Sequence, residues 1–600
     1  MGAGALTCAY HRRTGTYHLP PLSPRAHIKS KRILSTASNS PHVLPTTIEA
    51  AVMRRGERTW PDYLSVTIVA CLLSALAFLH YWHSGELLLY GDAVAHMNIA
   101  RRVIDSPIPG PKQLGTVWLP LPHLLMIPLI WSTWMWRSGV GGAIPSMLAY
   151  VVSVVGIFRL VRTGLAFIPN AMREARTAAW LAALAFAANP NLLYLQSTAM
   201  TEPLYLAVFI WAITFLSDFA IQLLRGDDVR ARKALLKCGA VLLFGMMTRY
   251  DGWFTAAAFV LSIFVLLVNA SLRSGLEPLH FLFERAWRNA LIIFALTLII
   301  FPAAWFAWNR SEYKDPLAFA RGPYSARAIE ARTRKPGEAH HPGWNAPSVG
   351  ATYLVKSAKL NVAVTERSQR VWIYAALLGS IFLAGFIRPL WPWLMLWVPV
   401  PFYAISMAWG GVPIFLPVWW PFSYYNVRYG TQLLPVFAVF GSLLVFLFLR
   451  RFSWRSSKLI CLMAAVLFVG LSYGEIWRDV PICLREARVN SADRIALESQ
   501  LAARLAQLPP DSILMMHLGN HGGALQQIGF PLKRTINECH KRRWHSALMA
   551  PARMADFVAA AEGDEISEAV KLHPEGLEKI AEFRVPRQGP ITLYQSTLHR

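Results

Sequence analysis

The stretch YLSVTIVACLLSALAFLHY, residues 63–81, decides the fold. It holds no charged side chain apart from His80. A helix of about 20 apolar residues crosses the hydrocarbon core of a bilayer. A helix on a soluble core keeps a polar back face, and this segment is apolar all round. Residues 290–308 and 433–449 read the same way. Of the 600 residues, 54% are hydrophobic and 16% charged. A soluble protein of ordinary composition carries about 25% charged residues. Mean hydropathy is +0.35. The sequence therefore predicts a polytopic α-helical membrane protein.

The net charge of +25 would suggest nucleic acid in a soluble chain. Here the basic residues gather at the ends of apolar blocks, which is the positive-inside pattern of membrane proteins. Nucleic acid is excluded as a partner on that ground, and membrane lipids take its place. Threading the chain to keep the basic clusters on one side gives crossings at 63–81, 144–160, 178–188, 204–224, 235–247, 254–268, 290–308, 372–386, 390–408, 433–449 and 459–472, about eleven in all. Residues 118–136 are apolar enough to make another, but spanning there would put the later arginines outside. That segment holds Pro120, Pro122 and Pro128, which disfavour a simple helix. It is expected to be an amphipathic or re-entrant segment of a first outer loop at about 82–142. A second outer loop falls at about 310–370.

This organisation gives a basic, disordered segment 1–58, a transmembrane domain 59–475, and a soluble extracytoplasmic domain 476–600. The N-terminal segment has no acid before Glu49 and no clear cleavage signal; Met53 is an alternative start. In the tail, strands are expected at 512–516, 556–560 and 591–594 and a helix at 521–528, a small α/β domain without phosphate-binding glycines. The six cysteines include no CxxC. Cys483 and Cys539 share the tail, and their pairing is left open.

Four motifs lie on the same expected side. Gly91-Asp92-Ala-Val-Ala-His96 follows the first crossing and reads as a short helix with Asp92 and His96 on one face. Near a helix start Asp92 suits an N-cap, and its place directly after the first crossing favours a reactive carboxylate. Thr201-Glu202-Pro203 starts a crossing, with Pro203 in the first turn. Glu202 either satisfies the helix dipole or acts on a substrate. Thr248-Arg249-Tyr250-Asp251-Gly252-Trp253 joins two crossings, where Arg, Tyr and Trp commonly anchor a helix at the interface. Asn426-Val-Arg428-Tyr429-Gly430 precedes the crossing at 433–449. Arg428 is placed either to snorkel or to grip a phosphate with both arms of its guanidinium. Ionisable groups at an apolar boundary are functional candidates by default. Two carboxylates and two arginines suit group transfer from a lipid phosphate. A carboxylate serves as base toward an acceptor hydroxyl, arginines stabilise the leaving phosphate, and carboxylates can hold a divalent metal ion.

On these residues the sequence resembles the GT-C superfamily of polytopic glycosyltransferases that use polyprenyl-phosphate sugars. The branch of lipid A aminoarabinose transferases and protein O-mannosyltransferases is the most similar. Asp92 just after the first helix, surface helices at 118–136, Glu202 at the outer start of a later helix, Arg428-Tyr429 near the last core helices and a soluble outer tail carry the resemblance. It covers residues 60–475. It implies Asp92 and Glu202 as catalytic carboxylates and Arg428, Arg249 and Tyr429 as the donor-phosphate site. One motif departs: aminoarabinose relatives carry a Glu-Lys-Pro-Pro-like stretch in the first loop. Here it is Thr116-Val-Trp118-Leu-Pro120-Leu-Pro122-His123. A divalent metal ion therefore stays an open expectation, with Asp92, His96 and Glu202 as candidate ligands. The function expected is transfer of a sugar, with inversion, from a polyprenyl-phosphate donor to a protein, glycolipid or glycan outside the cytoplasm, with a bacterial inner membrane as the setting. The alternative is a lipid or solute transporter or flippase. It would show paired broken helices or mid-helix charges; no internal repeat is visible, and Asp218 is an exception among the crossings.

Overall fold

The computed structural model describes residues 60–598 apart from 276, 278, 279, 335 and 336. The expected basic segment 1–58 lies outside the described residues. In chain order, α1 (Trp60–His83) leads into α2 (Gly91–Arg102), α3 (Leu121–Ile130) and α4 (Thr133–Ser138). Helices α5 (Val140–Leu165), α6 (Met172–Ala187), α7 (Glu202–Leu224), α8 (Asp228–Met246), α9 (Asp251–Arg273) and α10 (Arg285–Tyr313) follow. After a long loop with α11 (Ala326–Thr333) come α12 (Pro347–Val362), α13 (Glu366–Phe386), a 3-10 stretch Arg388–Trp397 and α14 (Pro399–Trp409). A second 3-10 stretch, Val427–Leu433, runs into α15 (Leu434–Arg451), then α16 (Arg455–Arg478) and α17 (Ile482–Leu505).

Helices stand at all eleven positions read as crossings. Among the described residues, nine are long and apolar enough to cross a membrane. The other two are α6, with 16 residues, and α8, whose first turns carry Asp228, Arg230, Arg232 and Lys233. Residues 118–136 do not form one helix. The segment breaks into α3 and α4, and Gly139 closes α4 at φ +83°, a left-handed conformation that glycine adopts without strain. At 10 and 6 residues, neither helix reaches across a bilayer at about 1.5 Å per residue.

The most enclosed crossings are α7 and the Val427–Arg451 run, with 72% and 78% of their apolar windows buried. They form the middle of the bundle, and their first residues belong to the site. Peripheral helices such as α10 and α16 are only 17% buried and turn apolar faces outward. Away from the site, ion pairs tie helix ends together. Arg176 meets Asp62 at 2.6 Å, Lys458 meets Glu174 at 3.0 Å, and Arg450 Nη1 donates to the Pro169 carbonyl at 3.0 Å. Asp218, the mid-helix acid, is paired with Arg159 at 2.6 Å.

The tail holds β1 (Leu514–Met516), α18 (Leu518–Ile528), β2 (Thr535–Ile536), β3 (Phe557–Ala561), β4 (Leu577–Phe583) and β5 (Ile591–Ser596). The sheet order is β2-β1-β3-β5-β4. β1 runs parallel to β2 and β3, and β5 antiparallel to β3 and β4. The three strands and the helix expected here are present. Cys483 and Cys539 are both free thiols. Cys483 is buried in α17, and its Sγ donates to Asn361 Oδ1 at 3.3 Å.

Candidate active site at one end of the bundle

Four chain segments far apart in sequence meet around a cavity of about 430 Å³. Asp92 comes from α2, Glu202 starts α7, Arg249 and Asp251 join α8 to α9, and Arg428 and Tyr429 begin the last central crossing. All six line the cavity, and His96 lines it too. The structure thus brings together every residue named from the sequence as a candidate catalytic, phosphate-binding or metal ligand.

Arg428 is the hub. Its Nη2 donates to Asp92 Oδ2 at 2.6 Å, its Nε to Glu202 Oε1 at 3.2 Å, and its Nη1 lies 3.5 Å from Glu486 Oε1. It is 7% exposed, so it does not snorkel. Nor does Asp92 cap its helix: the N-cap of α2 is Tyr90 without a side-chain bond, and the Asp92 carboxylate reaches Arg428. Glu202 Oε1 also accepts from Arg249 Nη1 at 3.2 Å. Its second oxygen, Oε2, is buried without a hydrogen-bond partner.

Arg249 is partly buried beside it. It meets Asp251 Oδ2 at 3.1 Å and donates to Thr201 Oγ1 at 3.0 Å and the Tyr403 hydroxyl at 3.1 Å. Gln432 Nε2 donates to Asp251 Oδ2 at 2.8 Å. The Tyr429 ring lies 5.1 Å from both the Arg249 and Arg428 guanidinium carbons, a contact in which the ring face attracts the cation. Two guanidiniums are therefore held among four carboxylates, and the cluster carries excess negative charge before any ligand enters. Arg327, at the start of α11, lines the same cavity. It has no ion-pair partner among the described residues.

Glu486 escaped sequence reasoning. It sits in α17, in a stretch of ordinary soluble composition, and no local pattern marks it. It is fully buried, and its carboxylate accepts from the main-chain N–H groups of Val427 and Arg428 at 3.2 and 3.3 Å and from the Tyr90 hydroxyl at 2.9 Å. Asp251 stands in the motif at 248–253, whose Arg, Tyr and Trp suggest a membrane anchor, and the motif alone gives the carboxylate no role. Tyr403, Gln432 and Arg327 carried no signal.

His96 packs on Trp118 with ring centroids 4.6 Å apart, and its Nδ1 is 2.9 Å from His123 Nε2. Burial first, then Arg249 and Arg428, pushes its imidazole down to about 3. It is a neutral ring at physiological pH. Among the described residues, no three metal-ligating side chains converge. A divalent ion would find the Asp92 carboxylate and Glu202 Oε2, with remaining ligands drawn from substrate oxygens, as magnesium often has them. Among the described residues, these side chains do not make a protein-built metal site.

No protein-family model matches the sequence, and no curated protein matches it. Solved structures do match. ArnT from Cupriavidus metallidurans, bound to undecaprenyl phosphate, superposes with a TM-score of 0.52 at 11% identity, over 87% of this chain and 97% of that one. The Archaeoglobus fulgidus oligosaccharyltransferase in complex with Zn and sulfate gives 0.42 at 13% identity, over 88% and 72%. The same organism's AglB, with an inhibitory peptide and a dolichol-phosphate, gives 0.43 at 13% identity, over 89% and 74%. The fold assignment rests on the first. A polytopic bundle with a small C-terminal sheet domain, matched over nearly the whole of ArnT, shows that this chain shares ArnT's fold.

Proposed function

We propose that the protein is a membrane glycosyltransferase that moves a sugar from a polyprenyl-phosphate donor to an acceptor hydroxyl or amine, with inversion at the anomeric carbon. The observation that carries this reading is the cavity at the starts of α7 and α9, where Asp92, Glu202, Arg249, Arg428 and Tyr429 converge. These helices run the thickness of a membrane, so the cavity lies at its surface, where a lipid-linked phosphate sits.

In this reading the acceptor oxygen or nitrogen attacks the anomeric carbon, and the bond from that carbon to the phosphate oxygen breaks. The electron pair leaves on the polyprenyl phosphate. Asp92, half-exposed at the cavity, takes the proton of the acceptor. The four carboxylates outnumber Arg249 and Arg428, so the donor phosphate needs a further cation. Arg327 is placed to supply it, with Arg428 turning from Asp92 toward the leaving group as charge builds there. Tyr429 keeps the two guanidiniums in place, and Glu202 positions both. The site and the tail face the extracytoplasmic side, set by the basic helix ends opposite.

Membrane vesicles given a radiolabelled polyprenyl-phosphate sugar test the reading. Transfer to an endogenous acceptor is expected, and Asp92→Asn should abolish it at an unchanged protein level. Full activity in Asp92→Asn would remove Asp92 from the chemistry. A wild-type protein that carries labelled lipid across the membrane without transfer would establish the transporter reading instead. The mid-helix acid that spoke for transport, Asp218, is already neutralised by Arg159.

A further inference from the structure

Helices α7 and α9 touch the candidate active site with their first residues, Glu202 and Asp251. With their last turns they border a second cavity of about 730 Å³. Each helix has 23 residues, so the two cavities lie about 33 Å apart along the helix axis, roughly the thickness of a bilayer core. The second cavity therefore sits at the opposite membrane boundary and has no part in the chemistry proposed above.

Three guanidiniums line it: Arg225, Arg273 and Arg388. Basic residues are common at such a boundary, and a scattered set would be anchors. These three differ in lining one cavity together. At the same end Arg159, Arg162, Arg176 and Arg232 each have a carboxylate within ion-pair distance, at 2.6, 3.6, 2.6 and 3.7 Å. Among the described residues, Arg225, Arg273 and Arg388 have none. Two carboxylates, Asp228 and Glu284, also border the cavity, and Glu284 is the partner of Arg232. Positive charge is left over. The wall between α7, α9 and the Arg388–Trp397 stretch is apolar, with Leu223, Leu266 and Trp391. An anionic group beside an apolar wall at a membrane boundary is the chemistry of a phospholipid, and guanidiniums match phosphate oxygens in geometry as well as charge.

We propose that this cavity binds the phosphate headgroup of an anionic phospholipid, held by Arg225, Arg273 and Arg388, with its chains along Leu223 and Leu266. The test is native mass spectrometry of the full-length protein released from nanodiscs. The discs contain phosphatidylglycerol and phosphatidylcholine in equal amounts. Wild type is expected to retain phosphatidylglycerol in preference to phosphatidylcholine. Arg273→Gln/Arg388→Gln should lower that retention about tenfold, the loss of a charge-assisted contact. Arg451→Gln/Arg455→Gln removes the same charge at the same end of the bundle but outside the cavity, and should leave retention unchanged. Equal loss in both double variants, or no preference in wild type, overturns the proposal. Inorganic phosphate in millimolar amounts separates the sources. Failure to displace the lipid supports a lipid site, and full displacement identifies a free-phosphate site and overturns the lipid assignment. The wild-type preference and competition decide the matter even where a double variant does not fold.

Discussion

Replacing Arg428 by alanine strands three carboxylates, Asp92, Glu202 and Glu486, which its guanidinium now joins. Breaking a buried ion pair by removing one partner costs about 3–5 kcal/mol, because an uncompensated charge stays behind. Thermal unfolding of purified Arg428→Ala should show a loss of that order, with transfer abolished. Arg428→Lys keeps the charge but not the fork, so it should recover much of the stability and little of the activity. His96 gives a pH dependence. Its imidazole is held near 3 in the fold and titrates near 6.5 in an unfolded chain. Between those values the unfolded chain binds more protons, so stability falls as pH drops below 6.5 and is flat above it. At pH 5 the loss from His96 alone is about 2 kcal/mol. Melting curves at pH 7.5 and pH 5 should separate less for His96→Gln than for wild type; an equal separation would contradict the assignment. At this scale the sequence revealed what it could reveal locally. Asp92, Glu202, Arg249 and Arg428 stood out because a charge beside an apolar crossing needs a reason. Glu486 lay in a polar helix where a glutamate needs none.

The 3-10 stretch Val427–Leu433 places Arg428 and Tyr429, and its own position depends on how closely it approaches α12. A Cβ on Gly430 would fall 2.5 Å from the Ala358 amide nitrogen and the Ser357 carbonyl carbon. Both are backbone atoms that cannot swing aside. Gly430→Ala should therefore push the stretch off α12 and shift Arg428 from its carboxylates, at a cost of about 1–3 kcal/mol for overpacking. Transfer should drop far more than melting temperature does, because the site depends on sub-ångström placement. A Gly430→Ala enzyme with wild-type turnover would show that this approach does not set the site. Element boundaries were legible wherever apolar length or proline decided them: α1, α10 and α15 by length, and the break at residues 118–136 by Pro120, Pro122 and Pro128. The 3-10 stretch was not, because tertiary contact with α12 shapes it and no local pattern encodes that.

On the scale of the molecule, α17 couples the tail to the bundle. Arg488 meets Glu86 at 2.6 Å, Arg494 Nη2 donates to the Leu89 carbonyl at 2.9 Å, and Glu486 reaches Arg428. Beyond it, Gln526 Nε2 donates to the Trp136 carbonyl at 2.7 Å, and Ser106 Oγ lies 3.0 Å from His540 Nε2. The tail thus seats on the first long loop, the loop that carries Asp92. The sequence showed a change to soluble composition near residue 475, but composition does not reveal that the first helix after that change completes the site. A chain ending at Asp479 keeps every helix long enough to cross the membrane, yet loses the Glu486 carboxylate. The Tyr90 hydroxyl and the N–H groups of Val427 and Arg428 then lose their acceptor, each a buried donor whose exposure to an empty site costs about 1–3 kcal/mol. This truncated protein should insert in membranes and fail to transfer sugar. Glu486→Gln keeps the shape and an acceptor oxygen but removes the charge, so its activity should fall between the truncation and wild type. Vesicle assays of the three chains at matched protein level test this order. Wild-type transfer by the truncated chain would make the tail an appendage and place the whole site within the bundle.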